Sequence, residues 1–220
     1  ILRLSKVEKI LPLQYPDNKR LNIVSYKVFI LLQAYFSRIS LSVEFKNDLR
    51  LILRKTESLI NAMVDILSSE GFLNATIAMD LSQMIMQAVW DVDSPLKQIP
   101  FFTGNILEKC KELKVETVYD VMALEDKDRE YIMTVSDEKL IKLADFINNY
   151  PNIEMDYTIE HSKFKIDEQI MVRITLRRDD EPETLTVTSE YYPYEKIERW
   201  WIVIGDSSKR ELYALKKVTL

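Results

Sequence analysis

The sequence predicts a multidomain chain in which α precedes β: a helical bundle, a small helix-loop-helix domain, then an immunoglobulin-like or fibronectin-III-like β-sandwich without its last strands. Three observations predict it. Apolar residues recur at three- and four-residue spacing in long runs before Pro95, at the same spacing in shorter runs between Thr103 and Tyr150, and at alternate positions after Pro151. The first two patterns line one face of a helix and the third lines one face of a strand. The expected domain bounds are 1–102, 103–151 and 152–220.

The bundle is expected to hold three long helices. From Leu21 onward Val24, Val28, Leu31, Leu32, Tyr35, Phe36 and Ile39 form the first stripe. Ser42 is placed to cap the second helix, whose stripe runs Phe45, Leu49, Ile52, Leu53, Thr56, Leu59, Ile60, Met63, Val64 and Leu67, with Gly71 ending it. The third carries Leu73, Ile77, Leu81, Met84, Ile85, Ala88 and Val89 and is expected to end near Trp90. Met79, Met84 and Met86 on that helix read as core packing, with a partner groove as the alternative use of so adaptable a side chain.

Pro95 and Pro100 break the helical pattern, and Thr103 then offers a cap to a helix with Ile106, Leu107, Cys110 and Leu113 inward. Thr117 is placed to cap TVYDVMAL, and Ser136 to cap a helix with Leu140, Leu143, Ala144 and Ile147 inward. After Pro151 the alternation of Ile153, Met155, Tyr157 and Ile159, repeated by Ile170, Val172, Ile174 and Leu176, predicts strands. TLTVTS, WWIVIG and LYALKKVTL add three more, giving five. A sandwich of this class needs about seven, so the sheet is expected to close only with strands after Leu220. The absence of an initiator Met likewise gives the chain the look of an excised piece.

Composition narrows the function classes. A chain of 220 residues, 47% hydrophobic and 30% charged, is the profile of a folded globular protein. No apolar run approaches the roughly 20 residues of a membrane span, so no membrane contact is expected. Cys110 is the single cysteine and His161 the single histidine, so no zinc cluster, no Cys/His dyad and no Ser/His/Asp triad is expected within the chain. Cys110 reads as a buried helical thiol in a reducing compartment. The glycines Gly71, Gly104 and Gly205 are too scattered for a phosphate-cradling loop. The acidic pairs Asp126 with Asp128 and Asp179 with Asp180 read as solvated turns. We therefore expect no catalytic residue, no metal and no cofactor.

The net charge of −5 is uneven: the first sixty residues are basic, the next hundred strongly acidic and the last sixty balanced. Phosphate backbones favour clustered cations, so only the first block suits RNA. Lys19, Arg20, Lys27, Arg38, Arg50, Arg54 and Lys55 are its candidate phosphate contacts. A second group of candidates faces either a partner or RNA. Asp80, Gln83, Gln87 and Asp91 form a polar stripe off the buried face of the third helix, and Trp90 ends that helix. Trp200 and Trp201 are neighbours on a strand, so their indoles point to opposite faces and one of them must meet something other than the sheet's own core, either the helical unit of the same chain or a partner.

The segments LLQAYFSRISL (31–41), MDLSQMIMQAVWDVDSPLKQIPFF (79–102), KVETVYDVMALEDKDR (114–129), YPNIEMDY (150–157) and WWIVIGD (200–206) together resemble one family. It is the module that follows each cassette of the large two-cassette spliceosomal RNA helicase of the Ski-like group, and DSPLKQIPFF is its most specific part. A similar module occurs in the endoplasmic-reticulum J-protein of the translocon. The resemblance, nearest to the second, carboxy-terminal copy, implies the same order of bundle, helix-loop-helix and fibronectin-III-like domains. It implies a parent that hydrolyses ATP and unwinds paired small nuclear RNAs to activate the spliceosome in the nucleus, with motor motifs upstream. In active copies the Trp-ended helix, here 72–90, faces the threaded strand and uses basic residues. Gln87 and Ala88 stand here where such a residue is sought, with Asp80, Asp91 and Asp93 nearby. The resemblance thus favours a monomeric, non-catalytic regulatory module that docks on its own cassette and binds other splicing factors. The alternative is an RNA-contacting wall of a translocating cassette.

Overall fold

The computed structural model describes residues 2–16, 22–160, 169–178, 185–187 and 189–219, so that Lys19, Arg20, His161, Asp179 and Asp180 lie outside the described residues. The bundle is built from α1 (Leu2–Glu8), α2 (Ile23–Phe36), α3 (Val43–Ser69) and α4 (Ala75–Gln87). The helix-loop-helix region holds α5 (Gly104–Glu112), α6 (Val118–Met122), α7 (Asp126–Ile132) and α8 (Asp137–Asn148). Four strands follow: β1 (Ile153–Ile159), β2 (Val172–Arg178), β3 (Trp200–Asp206) and β4 (Glu211–Val218).

The α1 helix was not expected, because two turns show too little periodicity to stand out. It brings Glu8 into the core, where the carboxylate accepts from the Tyr26 hydroxyl at 2.7 Å and the Tyr15 backbone N–H at 3.0 Å. The α2 helix starts on an Asn22 cap and buries Ile30, Leu31, Ala34, Tyr35 and Phe36 on several sides, the mark of a helix surrounded by others. Its buried Gln33 is satisfied by a two-way clasp with the Leu13 backbone, at 2.9 and 3.0 Å. Val24, expected inward, is exposed at the first turn.

Ser42 caps α3 as expected, and Gly71 (φ 73°) follows its end. The buried stripe of α3 is Phe45, Leu49, Leu53, Ile60 and Val64. Leu59 and Met63 are exposed, because each helical step turns the chain by about 100° and the inward Ile60 and Val64 swing their predecessors away. The α4 helix stops at Gln87 and not at Trp90: Ala88 adopts a left-handed conformation (φ 49°). Ala78, Met79 and Met86 are buried where Ile77 was expected; Ile77 itself is exposed.

A second core gathers Leu96, Ile99 and Phe102 with Ile106, Cys110, Val118, Val121, Ile132, Leu143 and Phe146. Cys110 is buried there, and burial raises its thiol pKa. Thr117 and Asp120 form a full capping box on α6. Thr103 and Ser136 do precede helices, but neither hydroxyl makes a capping bond. Leu113 and Ala144 are exposed, and Phe146 takes the inward place on α8.

Among the described residues the strands make two antiparallel hairpins, β1 with β2 and β3 with β4. Of the five expected strands, TLTVTS forms an isolated bridge among its described residues, Thr186 to Ile197, flanked by the Val187 N–H donating to the Lys196 carbonyl and the Glu198 N–H donating to the Leu185 carbonyl. The β3–β4 hairpin lays Trp201, Val203 and Leu215 against the bundle core. Its turn is tied to the α3–α4 turn: the Leu73 N–H donates to the Arg210 carbonyl at 3.1 Å, and the Leu212 N–H to the Gly71 carbonyl at 2.8 Å.

Candidate functional site

On α4, Thr76, Asp80, Gln83 and Gln87 recur at steps of four, three and four, which puts them on one face. That face is one side of a groove of about 550 Å³. The end of α8 supplies a second side through Phe146, Asn149, Tyr150 and Pro151. The β segment supplies the third through Lys196, Glu198, Arg199, Trp200, Trp201 and Lys217. Met79 and Met86 line the groove from the bundle core, so the methionines serve both packing and surface. Asp80, Gln83, Gln87, Trp200 and Trp201, far apart in the sequence, therefore meet at one place.

The two indoles divide as strand alternation requires. Trp201 packs on the bundle, and the Lys217 ammonium lies 5.1 Å from its ring centroid while donating to Asn61 Oδ1 at 2.8 Å. Trp200 donates through Nε1 to the Glu198 carboxylate, which also receives Arg178 at 2.7 Å. Lys196 pairs with Glu57 of α3. Burial first, then the charges of Arg199 and Lys196, hold the Lys217 ammonium below the usual lysine range, against the pull of Asp65 and Glu57.

The cations Lys196, Arg199 and Lys217 were absent from the sequence-based candidates. Their only signal was the basic content of the last strands, and nothing in the sequence places those strands opposite Glu57 and Asn61.

The other candidates lie elsewhere. Trp90 is committed to the bundle: its Nε1 donates to Ser37 Oγ at 2.9 Å and its ring meets Phe36 edge-on at 5.1 Å. Asp91 is exposed and does not line the groove. Arg38 is a structural clamp. Its guanidinium donates to the carbonyls of Ala88 (3.0 Å), Gln87 (3.1 Å) and Lys97 (2.6 Å) and stacks 4.1 Å from the Tyr191 centroid. A phosphate would have to displace those carbonyls. Lys27 is paired with Asp48 at 2.5 Å. Arg50, Arg54 and Lys55 are exposed on α3 and make no ion pair among the described residues; Lys19 and Arg20 are outside those residues.

Among the described residues no group of His, Cys, Asp and Glu is arranged to hold a metal ion, and no helix is long and apolar enough to cross a membrane. What the groove offers is recognition: aromatic and methionine surface, side-chain amides, and charges of both signs.

A model of the family described as the Sec63 Brl domain matches residues 2–220. The chain is 42% identical over 196 residues to the U5 small nuclear ribonucleoprotein 200 kDa helicase of Drosophila melanogaster, covering 88% of this chain and 9% of that protein. To the Homo sapiens protein of the same name it is 39% identical over 206 residues, covering 93% and 10%. It is also 43% identical over 200 residues to pre-mRNA-splicing factor brr2 of Schizosaccharomyces pombe, covering 88% and 9%. The chain thus spans about a tenth of the length of these relatives.

Proposed function

Because the chain belongs to the Sec63 Brl domain family, we propose that it is the non-catalytic, carboxy-terminal interaction and regulatory module of an ATP-dependent pre-mRNA splicing RNA helicase. The parent would unwind paired small nuclear RNAs in spliceosome activation, in the nucleus. In this reading the units 1–102, 103–151 and 152–220 form a bundle, a helix-loop-helix domain and part of a fibronectin-III-like sandwich. The monomeric module docks on its own second cassette and binds other splicing factors.

The observation that carries the reading is the groove that unites Asp80, Gln83, Gln87, Trp200 and Trp201. Its mixed charge and amide lining suit recognition, and the internal use of Arg38 and Lys27 removes cations that RNA would need. The test compares full-length parent helicase with a parent lacking this module, each captured from nuclear extract. Loss of splicing factors with ATP hydrolysis retained supports the reading; an unchanged set of factors overturns it.

A second reading, an RNA-contacting wall, is favoured by one feature: Arg50, Arg54 and Lys55 present charge on α3 that no ion pair among the described residues neutralises. Reversing them in the parent should then lower RNA affinity and flatten its salt dependence by about one unit of slope for each phosphate no longer neutralised. Unchanged affinity and slope would remove this reading.

A further inference from the structure

We infer that the groove between α4, the end of α8 and β3–β4 binds an extended polypeptide segment whose successive side chains alternate in charge, acidic toward Arg199 and Lys217 and basic toward Asp80. The inference deepens the proposed interaction role and rests on it.

Three features of the site select this occupant. The volume of about 550 Å³ lies within the range of about 300–1,000 Å³ typical of ligand pockets. The two long sides differ in the charge left over once Glu198 is paired with Arg178 and Lys196 with Glu57. The α4 side carries Asp80, which makes no ion pair among the described residues, whereas the β side carries Arg199 and Lys217. An extended chain sends successive side chains to opposite sides, so one strand of peptide can meet both charges in a single register. Gln83 lines the same groove, and a side-chain amide both donates and accepts, as the backbone of an extended segment requires.

A phosphodiester chain fits less well. It is negative along its whole length, so the span opposite Arg199 that reaches α4 would meet the Asp80 carboxylate. An apolar ligand would leave Arg199 and Asp80 facing it without partners. The crowding of Lys217 by Arg199 and Lys196 agrees with a site that gains from an incoming carboxylate, and Trp200 and Tyr150 add aromatic surface beside it.

The test uses full-length parent helicase and three labelled probes: a decapeptide of alternating Glu and Lys, a decapeptide of alternating Glu and Ser, and a ten-nucleotide oligouridylate. Fluorescence anisotropy should show saturable binding of the Glu/Lys peptide. Asp80→Lys, at an exposed position, should weaken that probe at least tenfold and strengthen the Glu/Ser peptide. The double variant Arg199→Glu, Lys217→Glu should weaken both peptides at least tenfold. Combining all three substitutions should restore the Glu/Lys peptide, because a one-residue shift of register re-pairs every charge; a folding defect would not be rescued in this way.

No binding of the Glu/Lys peptide, equal binding by all variants, or no recovery in the triple variant would overturn the inference. So would a tenfold loss of oligouridylate binding in the double variant with a gain in Asp80→Lys, which would assign the groove to RNA. If splicing factors stay on the parent while these peptide results fail, only the groove assignment falls. If wild-type parent retains no splicing factor through the module, the proposed function itself falls.

Discussion

The backbone of Gly205 runs against the side chain of Leu73: a Cβ on the glycine would stand 2.7 Å from Leu73 Cδ1 and 2.6 Å from the Glu211 carbonyl oxygen. This close approach lies at the irregularity between Ile204 and Gly205, where the β3–β4 hairpin meets the α3–α4 turn. Gly205→Ala should therefore destabilise the protein by about 1–3 kcal/mol, the usual cost of forcing extra volume into a packed contact. Thermal unfolding measures it. A melting temperature equal to wild type would mean that the hairpin and the bundle do not hold each other this closely.

Arg38 ties the end of α4 to the segment that enters the second core. Arg38→Met strips donors from the carbonyls of Gln87, Ala88 and Lys97 and should cost about 2–4 kcal/mol, in the range for charge-assisted bonds to partly buried acceptors. Arg38→Lys should recover little, since an ammonium cannot reproduce the planar fork. Urea titration gives the stability, and a salt series on the parent gives RNA binding. A large loss of RNA affinity with unchanged stability would contradict the clamp.

The capping box on α6 makes a pH-dependent contribution. Backbone N–H donation from Glu116, then from Thr117, and the Thr117 hydroxyl hold the Asp120 carboxyl below its usual range. A folded-state value below the unfolded one means that the stabilisation is full above the unfolded pKa and fades as pH falls through the folded pKa. Wild type should thus lose more stability than Asp120→Asn on acidification below about pH 4. At neutral pH Thr117→Ala should cost about 1 kcal/mol. Parallel acid-dependent slopes in wild type and Asp120→Asn would remove Asp120 from the account.

The adjacent tryptophans should separate in their effects. Trp201→Ala removes an indole packed on the bundle core and should destabilise by about 2–4 kcal/mol, somewhat less than a fully buried aromatic. Trp200→Ala removes groove surface and a bond to Glu198, so its main effect should fall on partner binding. Paired melting curves and capture assays report the two. Equal destabilisation would mean that both indoles serve the core.

The long helices were legible because their apolar stripes extend over several turns. Ser42, Gly71 and Thr117 marked boundaries by local chemistry that needs no tertiary context. The misassigned positions share one cause. Val24, Leu59, Met63, Ile77, Leu113 and Ala144 continue an apolar or small-residue pattern but lie on faces left exposed among the described residues. Conversely, Glu8 and Gln33 are polar and buried because a tyrosine hydroxyl and a backbone clasp satisfy them, and sequence alone does not show where such partners will stand.

The candidate site was half legible for the same reason. Helical spacing on one segment aligned Asp80, Gln83 and Gln87, and strand alternation separated Trp200 from Trp201; both follow from the local repeat of the backbone. The sequence also determined the order of helical and extended segments, and its motifs pointed to the family. Only tertiary structure decided that these two local patterns face each other, that Lys196, Arg199 and Lys217 join them, that Arg38 and Trp90 turn inward, and that Lys27 pairs with Asp48. Those outcomes depend on which distant segments pack together, and the burial and long-range hydrogen bonds that fix such packing have no signature at any single stretch of the chain.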